Sequence, residues 1–93
     1  MSIGTKVSSL SAGHIYLVLI ELTDGDDYYY SNVLYYYYGN GYDYSTIGSF
    51  GSYMVEVANG YVYFRHNSTT SWSTVTSAYG SSYSTNLTYY LLF

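Results

Sequence analysis

The chain contains no cysteine and no proline among its 93 residues. Without cysteine there can be no disulfide and no thiolate metal site, and two histidines, His14 and His66, are too few for a zinc site. Without proline, edge strands must be protected in some other way. A chain of this length buries only about 60–65% of its unfolded surface. We therefore expect dense aromatic packing or association with other copies to supplement the core.

Charged residues are scarce as well. They make up 9% of the chain, and the net charge of −4 comes from six acidic residues against Lys6 and Arg65. Two cations cannot form the basic stripe that a nucleic-acid groove requires. The longest apolar run, residues 15–20, is shorter than the roughly 20 residues that span a bilayer, and the N-terminus lacks a signal-peptide layout. We expect no nucleic-acid partner, no membrane segment and no signal peptide.

Residues that favour helices are rare, with three alanines, two glutamates and no glutamine. β-branched and aromatic residues replace them and favour strands. Turn signals recur at short intervals, which is typical of a sandwich or small barrel. The sequence predicts one all-β domain over residues 1–93: an antiparallel β-sandwich of jelly-roll type with seven or eight short strands and no helix.

The segment 14–22 is apolar on both faces, which predicts a central strand buried on two sides. Asn59-Gly60 predicts a type I′ hairpin, because both central residues of that turn need positive φ. The hairpin register then places Ala58 opposite Tyr61 and Val57 opposite Val62, with a core face that includes Val55, Val57, Val62 and Phe64. The other predicted strands cover residues 2–10, 28–38, 42–47, 72–78 and 83–93, with a break at 48–51.

Tyrosine is the abundant residue: the chain has 17, and seven of them lie in residues 28–38. Tyrosine offers a large contact area at low entropic cost. Strand alternation separates this segment into two rows, one containing Tyr29, Tyr35 and Tyr37 and the other Tyr28, Tyr30, Tyr36 and Tyr38. One row should complete the core and the other should face outward, and the pattern leaves open which is which.

Three interpretations compete for the outward row. The rings can pack on neighbouring subunits, stack on sugar rings, or form an exposed ladder without a partner. The candidate interface or glycan-contact residues are Tyr28, Tyr29, Tyr30, Tyr35, Tyr36, Tyr37, Tyr38, Tyr42, Tyr44, Tyr61 and Tyr63.

No pattern predicts catalysis. Hydroxyl side chains are plentiful, but neither histidine stands in a recognisable nucleophile–base setting, and there is no GxSxG motif. We predict that the protein is not an enzyme and has no cofactor. Asp24, Asp26 and Asp27 are weak candidates for Ca²⁺ ligands, because their spacing lacks the EF-hand layout. The alternative for these three residues is a solvated turn.

The apolar segment at residues 12–22, NGYVYF at Asn59 to Phe64 and NSTTSW at Asn67 to Trp72 occur in a run of short predicted strands. In this the chain resembles the small β-sandwich modules of bacteriophage fibre, tail and head-decoration proteins. The resemblance implies a non-enzymatic virion subunit, made in the host cytoplasm and assembled with itself and with other virion proteins. A trimer is one such homo-oligomer. The alternative is a lectin-like module that binds host glycans through exposed tyrosines.

Overall fold

A computed structural model describes residues 4–93 and confirms a mostly antiparallel β protein. It contains eight strands, arranged in two sheets, and one short helix. The elements are β1 (Thr5–Val7), β2 (His14–Thr23), β3 (Tyr28–Gly39), β4 (Tyr42–Ser45), β5 (Gly48–Phe50), β6 (Tyr53–Ala58), β7 (Tyr61–Arg65), α1 (Val75–Tyr79) and β8 (Ser84–Leu91).

The larger sheet has the order β1-β8-β2-β3-β4 and the smaller one the order β5-β6-β7. The neighbouring strands within each sheet are antiparallel, and β2 lies at the centre of the larger sheet. Both sheets contribute to one hydrophobic core. Its buried members are Tyr16, Val18, Ile20, Leu22, Val33, Tyr35, Phe50, Val55, Val57, Val62 and Phe64. The jelly-roll topology stays a prediction.

The hairpin predicted at Asn59-Gly60 is confirmed. Asn59 has φ 52° and Gly60 has φ 81°, as a type I′ turn requires. The register between β6 and β7 is the predicted one from Ala58 opposite Tyr61 to Met54 opposite Arg65. Alternation therefore turns Val55, Val57, Val62 and Phe64 toward the core, and all four are buried.

The predicted break at residues 48–51 is wrong, because β5 pairs with β6 there. At its first residue the backbone approaches β3 closely: a Cβ at Gly48 would lie 2.9 Å from Ser31 Oγ and 3.1 Å from the Asn32 carbonyl oxygen. Glycine at this position lets the two sheets meet. A hydrogen bond from the Val57 amide to Ser45 Oγ at 2.9 Å also joins the sheets.

The strand predicted at 72–78, and with it the predicted absence of helix, is also wrong. Residues 75–79 form α1, and the Thr74 hydroxyl caps it by accepting a hydrogen bond from the Ser77 amide. Within residues 72–78, strand pairing is limited to an isolated bridge between Phe64 and Ser73. A hydroxyl at the N-cap stabilises a helix by accepting a hydrogen bond from its first turn, and strand propensities do not include this contribution. The first predicted strand, 2–10, corresponds to β1 at the sheet edge, and its first two residues lie outside the described chain.

Candidate functional site

The candidate functional surface is the side of the five-stranded sheet that points away from the core, called here the outer face. Cross-strand pairing defines its members, since residues opposite one another share a face. They are Lys6, Ile15, Leu17, Leu19, Glu21, Thr23, Tyr28, Tyr30, Asn32, Leu34, Tyr36, Tyr38, Tyr42, Tyr44, Ser84, Asn86, Thr88 and Tyr90.

Among these outer-face residues only Thr23, at the end of β2, is buried. In β2, Val18 and Ile20 on the inner side are fully buried, whereas Leu17 and Leu19 on the outer face are only half-buried by their neighbours. The predicted burial of this strand on two sides is therefore wrong for the described chain. The reason is that the three-stranded sheet packs on the inner side of the larger sheet, and no layer in residues 4–93 packs on the other.

The structure decides between the two tyrosine rows of β3. Tyr35 is 1% exposed and belongs to the core, whereas Tyr28, Tyr30 and Tyr38 are more than half exposed. Tyr37, in the inner row, is half-buried and stacks on Tyr35 at 6.1 Å between ring centroids. Tyr35 therefore leaves the set of contact candidates, and the outward row is the one that contains Tyr28, Tyr30, Tyr36 and Tyr38.

A partly buried hydrogen-bond network holds Tyr35 in place. Its hydroxyl donates to Asp43 Oδ2 at 2.6 Å, and the same oxygen accepts the Asn59 amide at 2.8 Å. Burial and the hydrogen bond to the carboxylate raise the pKa of Tyr35 well above its usual value near 10. The network joins β3, β4 and the hairpin turn, and this explains why the row containing Tyr35 faces inward.

On the outer face, Tyr36, Tyr44 and Tyr38 stand side by side. The ring centroids of Tyr36 and Tyr44 are 4.7 Å apart with an interplanar angle of 11°, and those of Tyr38 and Tyr44 are 6.0 Å apart at 28°. The adjacent Tyr38 hydroxyl, followed by desolvation, raises the pKa of Tyr44. The Tyr44 ring is thus stacked on both neighbouring tyrosines.

Charge on the outer face is limited to Lys6 and Glu21, which have opposite signs. Glu21 accepts a hydrogen bond from Asn86 Nδ2 at 3.0 Å. Desolvation, followed by a hydrogen bond with Glu21, raises the pKa of Tyr30. The face is formally neutral, although the whole chain carries −4.

The remaining sequence candidates lie elsewhere. Tyr29 belongs to the inner row at the end of the sheet next to the turn, where it lines a cleft between the sheets. Tyr61 and Tyr63 are on β7 of the other sheet, with ring centroids 6.5 Å apart. The eleven candidates are therefore not one surface: six share the outer face and five do not.

The aspartate turn has the geometry of a solvated loop. Asp24 Oδ1 accepts hydrogen bonds from the amides of Asp26 and Asp27 at 2.9 and 2.8 Å, and these bonds lower the pKa of Asp24. Within residues 4–93, no three His, Cys, Asp or Glu side chains converge in a way that could hold a metal ion.

Sequence reasoning missed the aliphatic part of the outer face. Ile15, Leu17 and Leu19 form a row along β2, flanked by Leu34 on β3 and Tyr90 on β8. The signal was present in the two-sided apolarity of β2 and in the C-terminal YYLLF. This apolarity predicts burial within the chain, because strands that are apolar on both sides are usually covered on both faces.

No protein-family model, no curated protein and no solved structure matches this chain. The similarity to bacteriophage modules therefore stays a prediction. In the part of the chain that the structure describes, no helix has the length and apolarity needed to cross a membrane.

Proposed function

We propose that the protein is a non-enzymatic assembly subunit that associates with further copies of itself through the outer face. The observation that carries the proposal is the half-buried row of Ile15, Leu17 and Leu19 at the centre of the larger sheet, on which no second layer packs within residues 4–93. Apolar side chains at the middle of a sheet gain free energy when a second layer removes them from water.

The size of the face agrees with a protein interface. Five strands about 4.8 Å apart and a central strand of ten residues at about 3.3 Å each give roughly 600–800 Å² once the short edge strands are allowed for. A standard interface buries about 800 Å² on each partner. A contiguous row of partly exposed apolar side chains with polar residues around it is typical of interaction sites.

Charge favours a second copy as the occupant. A surface that meets its own copy must not repel itself, and this face is formally neutral in a chain of net charge −4. Tyrosine, which is enriched at interface cores, surrounds the aliphatic row. Two outer faces can therefore meet without the like-charge cost that other surfaces of the chain would impose.

Glycan binding on this face has less support. Stacking on a sugar needs an open ring face, and the Tyr44 ring is already paired with both Tyr36 and Tyr38. This stacked group suits a protein interface better, because rings that are already ordered lose little entropy when a partner packs on them.

The proposal includes the setting that the resemblance implies: a β-sandwich subunit of jelly-roll type, present in many copies in a virion and in contact with other virion proteins. Its support is the combination of an assembly surface with a chain that lacks disulfides. A gene flanked by capsid and tail genes would support this setting, and flanking genes of unrelated metabolism would oppose it.

The test is the oligomeric state in solution. Analytical ultracentrifugation at micromolar concentration should show a dimer or larger species for the native chain. Leu17→Lys places a charge at the centre of the outer face and should weaken association by at least about a hundredfold, since burying an unpaired charge is costly. The matched control is Tyr61→Lys, at an exposed position on the other sheet, which should associate like the native chain.

A native chain that stays a folded monomer up to 100 times that concentration would overturn the proposal. Association that is lost equally in Leu17→Lys and Tyr61→Lys would place the interface elsewhere and would also oppose it. A glycan array that detects binding lost on Tyr36→Ala, with the oligomer intact, would favour the lectin-like alternative.

A further inference from the structure

A cleft of about 320 Å³ opens between the two sheets at the end of the molecule that holds the aspartate turn. Its walls are mainly aromatic: Tyr29, Tyr53, Tyr79 and Tyr83 line it, and Leu22 and Phe50 lie at its base. The volume is at the lower end of the range for small-molecule sites. None of these residues belongs to the outer face, so the cleft is a separate surface.

The aromatic wall is held in place before any ligand binds. The Tyr53 and Tyr79 ring centroids are 4.9 Å apart, and those of Tyr79 and Tyr83 are 5.3 Å apart. The Tyr53 hydroxyl donates to the Ala78 carbonyl oxygen at 3.1 Å. An aromatic site that is already ordered does not lose side-chain entropy on binding.

Negative charge lies at the rim of the cleft. Leu22 and Tyr29 are opposite one another in the β2–β3 pair, and the turn with Asp24, Asp26 and Asp27 begins one pair beyond them. These are three of the six acidic residues in the chain. Burial, followed by the charge of Asp24, raises the pKa of Tyr83, and Asp27 adds to the effect. The carboxylates of the turn thus lie near enough to Tyr83, in the aromatic wall, to disfavour ionisation of its hydroxyl.

The chain supplies no lysine or arginine to neutralise this rim. Lys6 is on β1 opposite Tyr90, on the outer face, and the Arg65 guanidinium lies over the Trp72 ring at 4.2 Å. Neither lines the cleft. A concave site with one sign of charge concentrates ions of the other sign.

We propose that this cleft binds an organic cation, namely an alkylammonium group such as a quaternary ammonium ion. Tyr53 stacks on His66 and packs against Tyr79, so the ring surface for the cation and its methyl groups comes mainly from Tyr29 and Tyr83. The aspartates of the turn provide the opposite charge. The same group occurs free, as in choline, or next to a phosphate, as in phosphocholine. The acidic rim should favour the free cation, because it repels the phosphate.

The experiment compares choline with its neutral isostere, 3,3-dimethylbutan-1-ol, which has the same shape without the charge. Proton NMR titration of the native chain should show that choline binds at least about tenfold more tightly than the isostere, the effect of about one to two desolvated cation–π contacts. Phosphocholine should bind more weakly than choline. The methyl signals should move upfield, since they lie over aromatic rings.

Substitutions locate the site. Tyr83→Leu removes the ring and should weaken choline binding by about tenfold, whereas Tyr83→Phe keeps the ring and should change binding by less than about twofold. Asp27→Asn removes one charge, and because the Asp27 contacts in the turn are made by its main chain, it should weaken binding without disturbing the turn. The control is Tyr61→Leu, at the opposite end of the β6–β7 hairpin, which should bind choline like the native chain.

Equal binding of choline and the isostere would overturn the proposal, as would no binding of choline up to 100 mM. Tighter binding of phosphocholine than of choline would contradict the role of the rim. The isostere comparison needs no substitution, so it decides even if Tyr83→Leu does not fold. The inference does not rest on self-association, because the cleft and the outer face share no residue.

Discussion

The two faces of the five-stranded sheet have similar apolar content along β2 but different surroundings. On the inner face, Val18 and Ile20 are fully buried beneath the three-stranded sheet. On the outer face, Leu17 and Leu19 alternate with them along the same strand and are covered only by neighbouring side chains. The hydrophobicity of a residue therefore does not tell which face is in the core.

The tyrosines show the same difference in another form. Tyr35 on the inner face has its hydroxyl bonded to a carboxylate, whereas Tyr36 on the outer face stacks on Tyr44 with its ring partly in water. An inward tyrosine must satisfy its hydroxyl inside the protein, and an outward one need not. The residue type serves both faces, which is why a run of consecutive tyrosines can form one strand.

The largest expected difference between the faces is in stability. Ile20→Ala removes side-chain atoms from a fully buried position and should lower the free energy of unfolding by about 2–5 kcal/mol. Leu19→Ala, one residue away on the outer face, should cost less than half as much at low protein concentration. Urea unfolding followed by circular dichroism measures both. Equal losses would mean that the outer face is covered as well as the inner one.

A smaller difference is expected for the two adjacent tyrosines. Tyr35→Phe removes the hydrogen bond to Asp43 and should cost about 1.5–3 kcal/mol, as expected for a bond to a charged acceptor. Tyr36→Phe should change the free energy of unfolding by less than about 0.5 kcal/mol. The same urea experiment measures both variants. A neutral Tyr35→Phe would show that the Asn59 amide satisfies Asp43 by itself.

The smallest expected difference is in how the free energy of unfolding depends on pH in alkaline solution. Because the folded protein raises the pKa of Tyr35, this group stabilises the fold fully below the unfolded value near 10 and loses that contribution as the pH rises above it. One proton corresponds to a slope of up to about 1.4 kcal/mol per pH unit. Unfolding curves between pH 9 and 11.5 should therefore fall less steeply for Tyr35→Phe than for Tyr36→Phe. Parallel curves would contradict this.

Much of the local structure could be predicted. The hairpin register from Ala58–Tyr61 to Met54–Arg65 follows from a turn dipeptide and from strict alternation, both of which act over a few residues. The strand beginning at Tyr28 ends one residue beyond its predicted end. The errors at 48–51 and 75–79 have non-local or capping causes: β5 exists because β6 pairs with it, and α1 begins where the Thr74 hydroxyl finds an amide.

The sequence could predict the chemical type of the candidate site but not which residues form it. Composition indicated a contact surface of tyrosines, and alternation divided residues 28–38 into two rows. Neither could say that Tyr35 is the inward residue, because Asp43, which accepts the hydrogen bond from its hydroxyl, and Asn59, whose amide donates to the same carboxylate oxygen, lie outside the strand. The aromatic cleft is a still clearer case, since Tyr29, Tyr53 and Tyr79 come from three separate elements.

The amino-acid sequence alone determines three things: that this chain forms strands, the position of the turn in its tightest hairpin, and which residues share a face of a strand. It can do so because propensity, turn chemistry and alternation act between neighbouring residues. The tertiary structure decides which face is covered. A layer of only three strands can cover one side of a five-stranded sheet, and cross-sheet bonds such as Val57 to Ser45 determine which side that is. No layer within residues 4–93 packs on the opposite side, and this is the surface on which we expect a second copy to pack.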